Sequence, residues 1–168
     1  MTGAARARRR APRSSEHHTT HTVAEFAAAL PNVLQRLVAD PQRWVFVAEP
    51  LAPPGFDGVG AAAGGGRVRY EQAVATEDGE LICEVVSNIA LRSDAWLTPS
   101  DEAVIQALGF RAPEPPHRPN FWAQARTDSE IAAVSNGLRA VLHDVYRLEP
   151  ADRLSIRLWP SAPTPPST

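Results

Sequence analysis

The sequence predicts an α+β domain: one antiparallel sheet with helices packed on one face, in the order α-βββ-α-β-α-β. Three observations predict it. Apolar residues recur at helical spacing after Thr22, Thr98 and Thr127, each of which opens a helix-capping signature. Two alternating runs meet at Asp78-Gly79, a hairpin signal. The other β-branched and aromatic runs are short and lie between the helices. One sheet covered on one side is the simplest arrangement that buries all of these stripes.

Each element has its own justification. Thr22-Val23-Ala24-Glu25 is a capping box, and Val23, Phe26, Ala27, Leu30, Leu34, Leu37 and Val38 continue the stripe. Pro31 interrupts it, which predicts a kink or a second helix, and Asp40-Pro41 ends it. Trp44 to Ala48 reads as a strand, followed by a long loop from Pro50 to Gly66. From Arg67 to Ala75, Val68, Tyr70, Gln72 and Val74 take one side, with Arg67, Arg69 and Glu71 opposite. Glu80 to Asn88 returns antiparallel. Thr98-Pro99-Ser100-Asp101 starts the next helix, and Gly109 stops it in a left-handed conformation, with Phe110 packing back. A Pro-rich loop leads into "NFWAQAR", a short strand. Thr127 to Glu130 caps a last helix bearing Ile131, Val134, Leu138, Leu142 and Val145. Arg153 to Trp159 alternates Leu154, Ile156 and Leu158 inward and forms the final strand.

Composition bounds the organisation. Of 168 residues, 22–159 form one domain, near the usual size of about 100–150 residues. Residues 1–21 are predicted to be a disordered Arg-rich tail, and 160–168 a disordered Pro-rich tail. All seventeen basic residues are Arg, a usage that points to a GC-rich genome rather than to function. Residues 1–21 carry net +4 and the remainder net −6, which argues against a nucleic-acid surface on the domain itself. Cys83 stands alone, so no intrachain disulfide forms. No stretch approaches the roughly 18 apolar residues of a membrane span, and no apolar segment follows Arg8-Arg9-Arg10. These features predict a cytoplasmic protein without a membrane segment.

No catalytic, metal or cofactor site emerges. Gly58-Val59-Gly60 and Gly64-Gly65-Gly66 lead into a strand rather than a helix, so they lack the context of a phosphate loop. His17, His18 and His21 have no fourth ligand type nearby and read as a solvated tail. Cys83 sits mid-strand as core filling, beside Glu84, which would raise its pKa. Glu84 has no second carboxylate at a readable spacing. His143-Asp144 lies off its helix's apolar stripe as a surface pair, and no serine occupies an elbow motif. Trp44, Trp96, Trp122 and Trp159 all fall at element edges. Such residues are either half-buried core or, exposed on one face, partner anchors; Trp44, Trp96 and Trp122 are the partner-binding candidates.

"EVVSNIAL", "LTPSDEAVIQALGF" and the later "NFW" carry a resemblance. A strand ends in Val86-Ser87-Asn88 with Leu91 following, a helix ends in Leu108-Gly109-Phe110, and Asn120-Phe121 begins the next segment. The chain thereby resembles an actinobacterial family of type III secretion chaperone-like, YbjN-related proteins. The resemblance implies a secretion-chaperone-like α/β sandwich, often a homodimer, that holds a peptide or protein partner without transforming it. Three features depart from the family pattern: the long Gly-rich loop, Pro31, and one strand on each side of the last helix where two usually precede it. Ser and Asn compete for backbone hydrogen bonds. Ser87 and Asn88 are therefore expected to end their strand by bonding the backbone of residues 89–92, aiming Leu91 back under the sheet.

The functional expectation is a non-enzymatic chaperone-like or adaptor domain. A second reading is a small-ligand or enzymatic domain with the 50–66 loop as a lid. A third is a nucleic-acid-associated regulator acting through the basic tail.

Overall fold

The computed structural model describes residues 17–40, 44–51, 69–76, 78–91 and 95–160. Its elements are β1 (His17–Thr22), α1 (Val23–Ala39), β2 (Trp44–Pro50), β3 (Glu71–Ala75), β4 (Leu81–Val85), α2 (Pro99–Ala107), β5 (Phe121–Ala125), α3 (Asp128–Ala140) and β6 (Arg153–Pro160). A π-helical turn, Val141–Val145, continues α3. The strands form one antiparallel sheet in the order β1-β6-β2-β3-β4-β5. The expected α+β class and element order are present, with one strand added in front.

That strand corrects the reading of residues 17–21 as disordered tail. His17 to Thr22 pair along their whole length with Leu158 to Arg153. Their side chains are mostly exposed, so the strand is held by the backbone ladder and by His18, whose Nε2 lies 2.8 Å from Ser155 Oγ. An edge strand stabilised this way needs no apolar residues, and so leaves no hydrophobic period to detect.

The helices cover one face of the sheet. Thr22 Oγ1 accepts from the Glu25 N–H at 3.2 Å, and Glu25 Oε2 accepts from the Thr22 N–H at 2.9 Å. From this cap α1 runs as one helix through Pro31 to Ala39, so no second helix starts there. Pro31 forfeits one backbone bond. Buried Val23, Phe26 and Leu30 before it, and Leu34 and Leu37 after it, hold the helix on the core regardless. Phe26 stacks on Phe46 of β2, with ring centroids 5.5 Å apart. The capping boxes at Thr98 and Thr127 form as well.

Gly109, with φ +94°, ends the α2 segment, and Phe110 turns back into the core, where its Cε2 lies 2.9 Å from the point a Cβ on Gly137 of α3 would occupy. Only glycine permits this approach. Gly137→Ala is expected to destabilise the fold by about 1–2 kcal/mol, overpacking outweighing the better helix propensity. Urea denaturation checks it; equal or greater stability would show that Phe110 has room to move.

Registers decide which side of each strand faces the helices. Phe46, Ala73, Cys83 and Ala123 lie in one row across β2 to β5, all buried beneath the helices. Val47, Gln72, Glu84 and Trp122 form the next row, on the opposite face. Glu71 therefore points into the core, where the sequence suggested it lay on the charged side of its strand. Pairing with Leu81, Cys83 and Val85 forces β3 to present Glu71, Ala73 and Ala75 inward. Glu71 is fully buried, and neither carboxylate oxygen has a hydrogen-bond partner among the described residues. Burial pushes its pKa well above the ordinary value, favouring the neutral form.

Candidate functional site

The sheet face away from the helices carries the site. Its wall comes from the segment between α2 and β5. Arg111 and Trp122 exchange backbone hydrogen bonds of 2.8 and 3.1 Å, which extends the sheet past β5. Glu114 and Arg118 then pair with each other, closing a hairpin that returns over the open face. Between hairpin and sheet lies a groove of about 440 Å³. Val74 and Ile82, each half-buried, give it an apolar floor; Gln72 and Glu84 line it beside them, and His117 and Arg118 form its wall.

Trp122 anchors that wall. It is 5 % exposed and meets two guanidinium groups, Arg111 at 4.5 Å and Arg118 at 4.1 Å from its ring centroid. A cation over an indole is attracted by its negative π face. Neither arginine forms an ion pair among the described residues.

Asn120, almost fully buried, ties the groove to the sheet. Its Nδ2 donates to Tyr70 Oη at 3.2 Å and to Glu84 Oε2 at 3.1 Å, and its Oδ1 accepts from the Ser87 N–H at 3.4 Å. Gln72 Nε2 also donates to Glu84 Oε2, and the Ser87 hydroxyl donates to the Pro119 carbonyl. Ser87 and Asn120, which belong to separate sequence motifs, thus meet where β4 ends and β5 begins. Val86, Leu91, Phe110 and Phe121 are buried around the core, with Leu108 half-buried.

The turn after β4 departs from expectation at one residue. Ser87 Oγ does accept from the Ile89 N–H at 3.2 Å. Asn88 reaches further, to Leu97: its Oδ1 accepts from the Leu97 N–H at 2.6 Å and its Nδ2 donates to the Leu97 carbonyl at 3.0 Å. A side-chain amide carries the same donor and acceptor as a peptide group, so it clamps a distant strand-like residue as readily as a local one.

The tryptophans separate. Trp122 is buried and packs against Arg118 of the groove wall. Trp96 is 55 % exposed in the loop before α2, its Nε1 donating to the Leu91 carbonyl at 3.3 Å. Trp44 opens β2, and its side chain, like that of Trp159, lies outside the described residues.

Cys83 is wholly buried, and burial, with Glu71 and Glu84 adding to it, drives its thiol far above the usual range. His143 Nδ1 and Asp144 Oδ1 form an exposed pair at 2.8 Å. His17, His18 and His21 are exposed on β1, and no cluster of three metal-ligating side chains occurs among the described residues. The glycines at 58–66 and the Arg-rich segment at 1–16 lie outside the described residues.

Sequence reasoning missed Arg111, His117 and Arg118, reading their segment as a stiff connector. The one available signal was a pair of arginines, Arg111 and Arg118, bracketing the Pro-rich run just upstream of "NFW".

Residues 16–160 match the model of the family described as "T3SS (YopN, CesT) and YbjN peptide-binding chaperone 3", TY-Chap3. The chain belongs to the TY-Chap3 family. The match runs from just before β1 to the end of β6, so it takes in the strand that the sequence reading left out. TY-Chap3 is a family of peptide-binding chaperones, in line with the resemblance read from the Val86 to Phe121 motifs. Neither a curated protein nor a solved structure matches the chain significantly. No described helix is long and apolar enough to cross a membrane.

Proposed function

We propose that this TY-Chap3 protein is a non-enzymatic chaperone or adaptor that holds an extended segment of a partner protein in the groove on its open sheet face. The observation that carries the reading is the groove itself. An apolar floor of Val74 and Ile82 lies under a hairpin wall, on the one sheet face the helices leave free. An extended segment places alternate side chains on such a floor while its backbone meets polar groups at the rim, here Gln72 and His117. The family's description as peptide-binding supports the same reading. We place the protein in the cytoplasm of an actinobacterial host, which the all-Arg composition and the family motifs favour. β1, whose outer edge no described strand pairs, is the route by which two copies would form a homodimer.

Ile82→Arg tests the reading. Its side chain points away from the core, so the fold survives while a charge fills the groove floor. On an array of overlapping peptides from the host's proteins, the full chain is expected to retain a subset. The variant, with an unchanged melting temperature, is expected to lose about tenfold or more in affinity for them. No retained peptide, or undiminished binding by the variant, would move the function away from this groove.

A further inference from the structure

We infer that the segment held in the groove carries an acidic side chain beside its apolar anchor. This rests on the groove being the peptide site and adds its chemical selectivity. Arg111 and Arg118 lie 4.5 and 4.1 Å from the Trp122 ring centroid, and neither forms an ion pair with a carboxylate among the described residues. The indole Nε1–H of Trp122 is buried and has no acceptor among the described residues. Arg118 lines the apolar trough itself, and Arg111 shares the Trp122 ring with it. The groove's own carboxylate, Glu84, is the cross-strand neighbour of Trp122, and it is already engaged there: Gln72 and Asn120 both donate to its Oε2.

This arrangement sorts a ligand by position. An apolar side chain fits over Val74 and Ile82, and a carboxylate a residue or two away meets the hairpin arginines. A basic side chain there would face two guanidinium groups, and like charges brought together exclude the wrong partner. Residues 22–168 carry net −6, so the arginine pair is a local positive spot on an acidic domain. Stacking on the indole holds the planar guanidinium groups in place, which suits them to a carboxylate.

Fluorescence anisotropy of the full chain with short labelled peptides tests the inference. Each peptide alternates Val and Thr around one central Glu, Gln or Lys, and an oligothymidylate of similar length serves as a fourth probe. The Glu peptide is expected to bind about tenfold tighter than its Gln counterpart, and the Lys peptide weakest. The Glu-to-Gln ratio should fall to within about twofold in Arg111→Gln/Arg118→Gln, and also in about 0.5 M salt, where screening shortens to about 4 Å. Arg111 is exposed, so Arg111→Glu alone keeps the fold, and it should shift preference toward the Lys peptide. Equal binding of the Glu and Gln peptides overturns the acidic preference and leaves the peptide reading standing. Binding of no peptide overturns both. Tighter binding of the oligothymidylate than of the Glu peptide also overturns the inference, because the arginine–tryptophan stack would then serve bases and phosphates.

Discussion

Replacing Glu71 by Met is expected to stabilise the protein at pH 7 and to remove much of the stability loss that accompanies rising pH above 4.5. Glu71 is fully buried, and neither of its oxygens has a hydrogen-bond partner among the described residues. Burying an unsatisfied polar group costs about 1–3 kcal/mol, and a methionine of similar length removes that cost. The pH dependence follows from the direction of the pKa shift. Burial raises the folded-state value well above 4.5, while the unfolded chain titrates near 4.5. In the window above 4.5 the folded protein keeps its proton and the unfolded chain loses it. Stability that is fully present below 4.5 therefore declines as pH rises toward the folded value, by up to about 1.4 kcal/mol per pH unit. Glu25, Asp101 and Glu130, whose values are lowered, act in the opposite sense, gaining stability above their unfolded values and losing it as pH falls. Subtracting the curve of Glu71→Met from that of the wild type isolates the one residue. Urea midpoints measured from pH 4.5 upward would show the separation between the two proteins growing as pH rises. Parallel curves would mean that Glu71 is charged in the native state and has a partner.

Asn120→Ala is expected to cost roughly 3–4 kcal/mol, about 10 °C in melting temperature for a domain of this size. The substitution removes the donor to Tyr70 Oη, one of the two amide donors to Glu84 Oε2, and the acceptor for the Ser87 N–H. Tyr70 and Ser87 are buried, so water does not readily replace the lost partners. Because Asn120 sits where the hairpin returns to the sheet, groove affinity should fall together with stability. Asn120→Asp distinguishes a hydrogen-bond role from a space-filling one. It keeps the shape but sets a second carboxylate beside Glu84, and should be worse than Ala at pH 7 and recover as the pH is lowered. An Ala variant within about 0.5 kcal/mol of wild type would show that the network contributes little.

The legible and illegible parts of the fold divide by range. The three capped helix starts could be read because Thr and Glu or Asp three residues apart act on the same backbone turn. The α1 stripe could be read for the same reason, although Pro31 suggested a break that packing on both sides of it prevents. β1 had no such mark, since its order comes from pairing with β6 at the other end of the chain. In β3, alternation separated Tyr70, Gln72 and Val74 from Glu71, but it could not say which set meets the helices. The Ser87 and Asn120 motifs were visible separately, and their meeting was not. Arg111 and Arg118 carried no period at all, because they reach Trp122 only through a hairpin and an antiparallel bridge.

By itself the sequence determined that this chain builds an α+β sheet domain with capped helices, and through its motifs it pointed to the chaperone family it belongs to. Those properties depend on neighbours within a turn or two along the chain. Tertiary structure decided the edge strand, the inward turn of Glu71 and the arginine-walled groove. Each depends on the register between strands far apart in sequence, and a shift of one residue in that register exchanges the two faces of the sheet.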